Sequence, residues 1–197
     1  MLQEFNQNLK GFVQDKMRDI HTALPGRVDA FYPDRCEADV VPYGKFKKPD
    51  GTTMNYPKIA GVPVLFPQGA GQAIAIVWAI KPGDECLLLF AEQTLETWQA
   101  NAESSTDLPF DLQNCIAIPG LYAKRNPLVR EACDNDALII SSAGQKITLT
   151  TGAVTIDADS IVLRSAGTVD ITAPGGVNIT GDMNTTGTHT DANGVHS

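Results

Sequence analysis

Four sets of side chains have types that could do chemistry: His189 with His196; Asp157, Asp159 and Asp170; Asp84 with Glu85; and Cys36, Cys86, Cys115 and Cys133. Imidazoles bind metals, and paired carboxylates hydrolyse glycosides. Their spacing argues against each use. His189 and His196 stand seven apart in a Gly-, Asn- and Thr-rich end, which is no standard ligand signature, so they read as unpaired surface residues. His21 stands alone in a helical stretch. Asp84 and Glu85 are neighbours, and on a strand they face opposite sides. The three later aspartates could line a cleft, but no Phe, Tyr or Trp follows Tyr122 to stack on a sugar, and they read as a solvated face. The cysteines show no Cys-x-x-Cys spacing and read as buried free thiols, which favours synthesis in a reducing cytoplasm. Gly-x-Ser-x-Gly, His-Glu-x-x-His and a phosphate-cradling Gly-rich loop are all missing, and Gly69-Ala70-Gly71 reads as a turn. The expectation is a protein that is not an enzyme, with no catalytic, cofactor-binding or metal site.

The pattern that organises the chain is apolar and lies near its C-terminal end. Ile147 and Leu149, Val154 and Ile156, Ile161 and Leu163, Val169 and Ile171, and Val177 and Ile179 form pairs two residues apart. Both members of a pair point to one face of an extended strand. Successive pairs are separated by seven, seven, eight and eight residues, with Thr, Ser, Asp, Ala and Gly between. That is a repeat. Two apolar side chains per short strand cannot enclose a core within one chain. Wrapping three copies around an axis gathers about six of them per layer, at roughly 1.5–3 kcal/mol each when fully buried. It also pairs strand edges that would otherwise be orphaned. The segment therefore reads as an intertwined three-chain β-helix with these ten residues as its trimer core. A Ser/Thr/Gly-rich disordered tail and a monomeric parallel β-helix are the alternatives.

The remaining chain sets that stalk in context. The sequence has 197 residues, 43% apolar and 19% charged, with net charge −8 and a pI near 4.7. Neither the first 136 residues nor the rest is basic, which argues against nucleic acid as a partner. No signal peptide or bilayer-spanning run is visible. Residues 1–25 place Leu2, Phe5, Leu9, Phe12, Val13, Met17, Ile20 and Leu24 at helical steps, with a stop at Leu24-Pro25-Gly26. This amphipathic helix either packs on its own domain or docks on neighbouring subunits. Residues 26–122 switch to period two. Strands are expected at Arg27–Tyr32, Cys36–Val41, Val62–Phe66, Ala73–Ile80 and Glu85–Phe90, which suggests a small antiparallel barrel of the OB type. Lys45, Lys47 and Lys48 flank a Pro-Asp-Gly hairpin tip and read as a solvated loop. Ala91–Ala102 reads as a short helix, and Asp107–Gly120 as a loop with an apolar close. Residues 123–136 read as a linker, 137–185 as the trimeric β-helix, and 186–197 as a C-terminal end or the start of a tip. The predicted class is mainly β.

The run Val62-Pro63-Val64-Leu65-Phe66-Pro67, then Gly69 and Gly71, then Ile80-Lys81-Pro82-Gly83-Asp84-Glu85-Cys86-Leu87-Leu88-Leu89-Phe90 resembles the N-terminal domain of central spike proteins from contractile-tailed phages. Ala117-Ile118-Pro119-Gly120-Leu121 is also similar to that family, and the resemblance spans roughly residues 20–185. It implies an OB-type domain at the end of the tail tube and three chains wound into a needle that caps the tube and leads puncture of the host envelope. Related spikes occur in phage-derived bacteriocins and secretion systems. Many members end in a His-x-His tip where six imidazoles hold iron. This sequence has Thr188-His189-Thr190-Asp191 and Val195-His196-Ser197 instead, so no metal ligand is carried over.

The expected function is thus a structural spike at the centre of a baseplate. The expected partners are two further copies, hub or tail-tube proteins and, transiently, the host outer envelope. The protein would be made in the host cytoplasm and sit in the virion at the tail tip. The alternatives are an oligosaccharide- or nucleic-acid-binding OB module on a trimeric stalk, and a polysaccharide-degrading tailspike.

Overall fold

A computed structural model describes residues 2–18, 20, 22–48, 50–100, 102, 111–122, 124–191 and 194–196. The chain divides into two compact units, Met1–Pro127 and Leu128–Ser197. It is mainly β, with few helices.

In the first unit, helix α1 runs Leu2–Arg18. It stops short of the expected residue 25, because Leu24-Pro25-Gly26 belong to strand β1, Ala23–Tyr32. Long-range pairing overrides the local stop signal here. Leu24 lies opposite Leu88, Pro25 opposite Leu87 and Gly26 opposite Cys86. Pro25 has no N–H to give, but its carbonyl accepts the Tyr43 N–H at 2.8 Å.

The central sheet is antiparallel, in the order β5 (Ile59–Pro63), β2 (Glu37–Pro42), β1, β8 (Glu85–Phe90) and β9 (Cys115–Pro119). Strand β1 is shared unevenly. Its first half, residues 23–27, pairs with β8, and residues 26–32 pair with β2, with a register shift between Val28 and Ala30. A long strand with offset partners and a bulge must bend, which curls the sheet. The curl brings its outer strands together: Val64 bridges Ala117 in parallel sense. The Leu65 N–H donates to the Ala117 carbonyl, and the Val64 N–H to that of Cys36, both at 2.9 Å. The product is a curled half-barrel. Val28, Ala38, Val40, Ile59, Val62, Val64, Phe66, Ile80, Cys86, Leu88, Phe90, Cys115 and Ala117 form its core.

Several expected elements shift. Strand β9 lies where a loop was expected, because alternate residues Cys115 and Ala117 enter the core beside β8. Of Ala73–Ile80, only β7 (Ile74–Ala75) pairs, with β6 (Gln68–Gly69). Buried Phe66 and Ile80 anchor the ends of this region, while Ile74, Ile76 and Val77 stay about two-thirds exposed. The lysine-bearing tip is a hairpin of β3 (Lys45–Lys47) and β4 (Thr53–Asn55), and α2 covers Leu95–Gln99.

The second unit follows. The expected linker contains helix α3, Pro127–Asp134. Strands β10 (Leu138–Ser142), β11 (Gln145–Leu149) and β12 (Val154–Asp157) then form an antiparallel meander. The expected winding is not shown over that stretch, where the first two repeat pairs find strand partners within one chain. The turn explains it. Ala143 and Gly144, at φ 50° and 92°, give the two successive positive-φ residues of a type I′ hairpin. Residues 158–188 contain no strand, and β13 (His189–Asp191) pairs with β14 (Gly194–His196).

Candidate assembly interface

The register of the meander builds an apolar face from the residues up. Leu138 is opposite Leu149, and Leu149 opposite Val154. Ile140 is opposite Ile147, and Ile147 opposite Ile156. Antiparallel partners share a face, so the six side chains form two rows of three across three strands. All six are exposed, from 36% at Leu149 to 66% at Val154. Beside them lies a hollow of about 420 Å³ lined by Ile140, Ile147, Ile156, Ile161 and Val162, among others. Of the ten expected trimer-core residues, the structure thus gathers Ile147, Leu149, Val154 and Ile156. Ile161, Leu163, Val169, Ile171, Val177 and Ile179 are likewise exposed and not gathered into a sheet. Leu138 and Ile140 join the face from β10.

The opposite face is polar and tied down. Lys146 reaches Glu131 of α3 at 2.6 Å, and that hydrogen bond and charge hold its ammonium above the usual lysine range. Gln145, which by strand alternation lies on the side of Ile147 and Leu149, clasps the chain leaving β12: its amide nitrogen donates to Asp159 Oδ2 at 2.9 Å, and its amide oxygen accepts the Asp159 N–H at 2.8 Å. The face of Lys146 is polar, and the other, apart from this end, is hydrocarbon.

The groups with chemical potential do not converge. Asp159 is engaged by Gln145, Asp170 accepts the Thr168 hydroxyl at 3.2 Å, and Asp157 is exposed on β12. Asp84 caps its own turn by accepting the Lys81 N–H at 2.8 Å, while Glu85 lies 3.4 Å from the Tyr43 hydroxyl. Among the described residues, no three His, Cys, Asp or Glu groups cluster as a metal site. His189 and His196 prove to be direct cross-strand partners in the β13–β14 hairpin. A spacing of seven hides this, because spacing alone does not give strand register. His21 lies outside the described residues. All four cysteines are free. Cys86 and Cys115 are buried, which pushes their thiols up to about 11 and about 12, whereas Cys36 and Cys133 are exposed, against expectation.

Two clefts mark the half-barrel. One, of about 400 Å³, lies among Pro25, Tyr43, Glu85, Leu121 and Tyr122, with the Arg27 guanidinium 5.2 Å from the Tyr43 ring centre. The other, of about 370 Å³, is edged by Glu96 and Asp111 and floored by Asn114. Asn114 is a structural staple: its amide donates to the Ala91 and Gln93 carbonyls and accepts the Leu95 N–H. No described helix is long and apolar enough to cross a membrane.

Residues 24–120, the half-barrel, match the family model described as the phage protein Gp138 N-terminal domain. No curated protein matches the chain. The match supports a phage structural protein and a component of the virion.

Proposed function

We propose that this chain is the central spike of a contractile tail: a homotrimer with an OB-type half-barrel and a stalk that leads puncture of the host envelope. It has no enzymatic activity and no cofactor. The observation that carries this reading is the exposed apolar series from Leu138 to Ile179, which has no cover among the described residues. In a rod of three copies those side chains turn to a common axis. The outer surface then consists of residues such as Thr148, Thr155 and Asp157, which hydrate readily. Unravelling such a rod requires many interchain contacts to break together, so its resistance to force is kinetic. The half-barrel joins it to hub or tail-tube proteins at the baseplate, where contraction delivers the push. Contact with the host outer envelope is transient.

Light scattering tests this directly: the native chain elutes as a trimer. Ile156→Asp and Ile171→Asp each place a carboxylate on the axis and abolish the trimer, whereas Thr155→Asp, on the other face, retains it. Trimers of full size in both axial variants overturn the shared core. A second reading, an oligosaccharide-binding module on the same stalk, draws on the cleft with Tyr43, Tyr122 and Arg27. Titration with host-envelope oligosaccharide, compared with a Tyr122→Ala variant, separates the two.

A further inference from the structure

Helix α1 keeps its apolar side out of the half-barrel. Leu2, Phe5, Leu9, Phe12, Val13 and Met17 recur along it at helical steps, and Phe5, Leu9, Phe12 and Val13 are between 47% and 65% exposed. Among the described residues, the core and the side chains packed on it include none from α1. The helix also precedes a defined end of the sheet. The chain enters β1 where Ala23 faces Leu89 and the Phe90 N–H donates to the Thr22 carbonyl. It leaves β9 where Pro119 faces Cys86 and the Gly120 N–H donates to the Glu85 carbonyl. The six residues of β8 separate these two ends by about 17 Å.

A helix of this length is marginal in water without a partner, and Gly11 weakens it further. Charge narrows the choice of partner. The chain carries −8, yet within α1 Lys10, Lys16 and Arg18 balance Glu4 and Asp15. Copies that repel one another elsewhere can meet here at little electrostatic cost. The other polar residues are amides, Gln3, Gln7, Asn8 and Gln14, rather than the lysines and arginines with which a helix holds an anionic membrane surface. The width of the stripe sets the number of neighbours. At 3.6 residues per turn the six apolar residues span about 140°, wider than the seam of a two-stranded coil and suited to a helix with a neighbour on each side. Asn6 and Lys16 fall inside the same arc, and a polar residue in such a seam fixes register and copy number.

Resting on the trimeric reading above, we propose that α1 is an interface between copies of this chain. Three α1 helices pack side by side as a parallel bundle, the arrangement that three-fold symmetry dictates. The two phenylalanines, each able to bury about 150–250 Å², and their aliphatic neighbours together offer on the order of 1,000 Å² or more over three copies, the size at which an interface becomes specific. The bundle clasps the half-barrels at the end where the chain enters, opposite the end from which it departs. A push delivered to the half-barrels then cannot splay them apart there.

Disulfide mapping of the full-length chain tests this, in a Cys36→Ser/Cys133→Ser background that removes the two exposed thiols. Leu9→Cys puts a thiol in the stripe, and Gln7→Cys puts one about 160° away around the helix. Mild oxidation of Leu9→Cys trimers is expected to give covalent dimers, because seam thiols of neighbouring helices lie within disulfide reach. Gln7→Cys trimers should run as monomers on a denaturing gel without reductant. Helices tethered near one another but not packed would cross-link at both positions. Equal yields at the two positions, or no dimers at Leu9→Cys, therefore overturn the bundle. Light scattering of the unaltered chain reads the trimer itself, so a monomeric mass defeats the parent reading instead. Leu9→Asp gives a second measurement. It should lower the helical far-UV signal while Cys86 and Cys115 stay as protected from a thiol reagent as in the unaltered chain. An undiminished signal, or loss of that protection, overturns the proposal. Flotation with phosphatidylglycerol vesicles covers the other occupant. The chain is expected to stay behind, and flotation that Leu9→Asp abolishes overturns the bundle in favour of a lipid surface.

Discussion

A methyl group on Gly26 would meet Val40 Cγ1 at 2.6 Å, with Cys86 Sγ and a Leu88 methyl at 3.4 Å. Gly26 therefore lets three strands close where β1 passes from one partner to the other. Gly26→Ala overpacks that crossing and should cost about 1–3 kcal/mol, read as a lower urea midpoint. From sequence, the same residue looks like a helix stop. Its chemistry, the absence of a side chain, is legible, but its use depends on Val40, Cys86 and Leu88 from two other strands.

The thiols allow a sharper test. Cys86 and Cys115 should resist a thiol reagent until the chain unfolds, while Cys36 and Cys133 react at once. Burial raises both core thiols to about 11 and about 12, from 9.0. Their protonated form is favoured by folding, so the associated stability is present below pH 9 and is lost as pH rises towards 11–12. The slope is about 1.4 kcal/mol per pH unit for each thiol. Urea midpoints from pH 8.5 to 11 should fall more steeply for the native chain than for Cys86→Ala/Cys115→Ala.

Among the elements, closure of the half-barrel depends on few bonds. The Leu65 N–H to Ala117 carbonyl bond helps join the outer strands. Leu65→Pro removes that donor and should cost about 1–3 kcal/mol. Leu65→Ala keeps it, and because the Leu65 side chain is half exposed, it should cost clearly less by the same denaturation measurement. The strands at Arg27–Tyr32 and Glu85–Phe90 were legible because alternate residues enter the core. Strand β9 was not, since its short apolar run reads equally well as the end of a loop until β8 claims it. The turn at Ala143-Gly144 was hidden as well, because alanine rarely takes a positive φ and gives no turn signal. Without that turn, the repeat reads as uniformly wound.

Across the whole molecule, a contrast in composition is legible. One unit carries aromatic residues and a core, and the other carries apolar pairs with none. The ten residues singled out from spacing are all exposed, and Ile147, Leu149, Val154 and Ile156 are gathered on one sheet face. Spacing gives the face on which a residue lies, but not which chain provides the strand beside it. That is why the meander emerges only from coordinates.

The bare face of the second unit has a further consequence for how the chain is made. On the trimeric reading proposed above, a freshly synthesised copy carries hydrocarbon in water from Leu138 to Ile179, and until siblings arrive it is an adhesive object. Supply must therefore be local and prompt: copies released from one message, close together, would mature, while dilute stragglers would clump or be degraded. The same surface that is to become the hardest part of the proposed particle is the most vulnerable part of its youth.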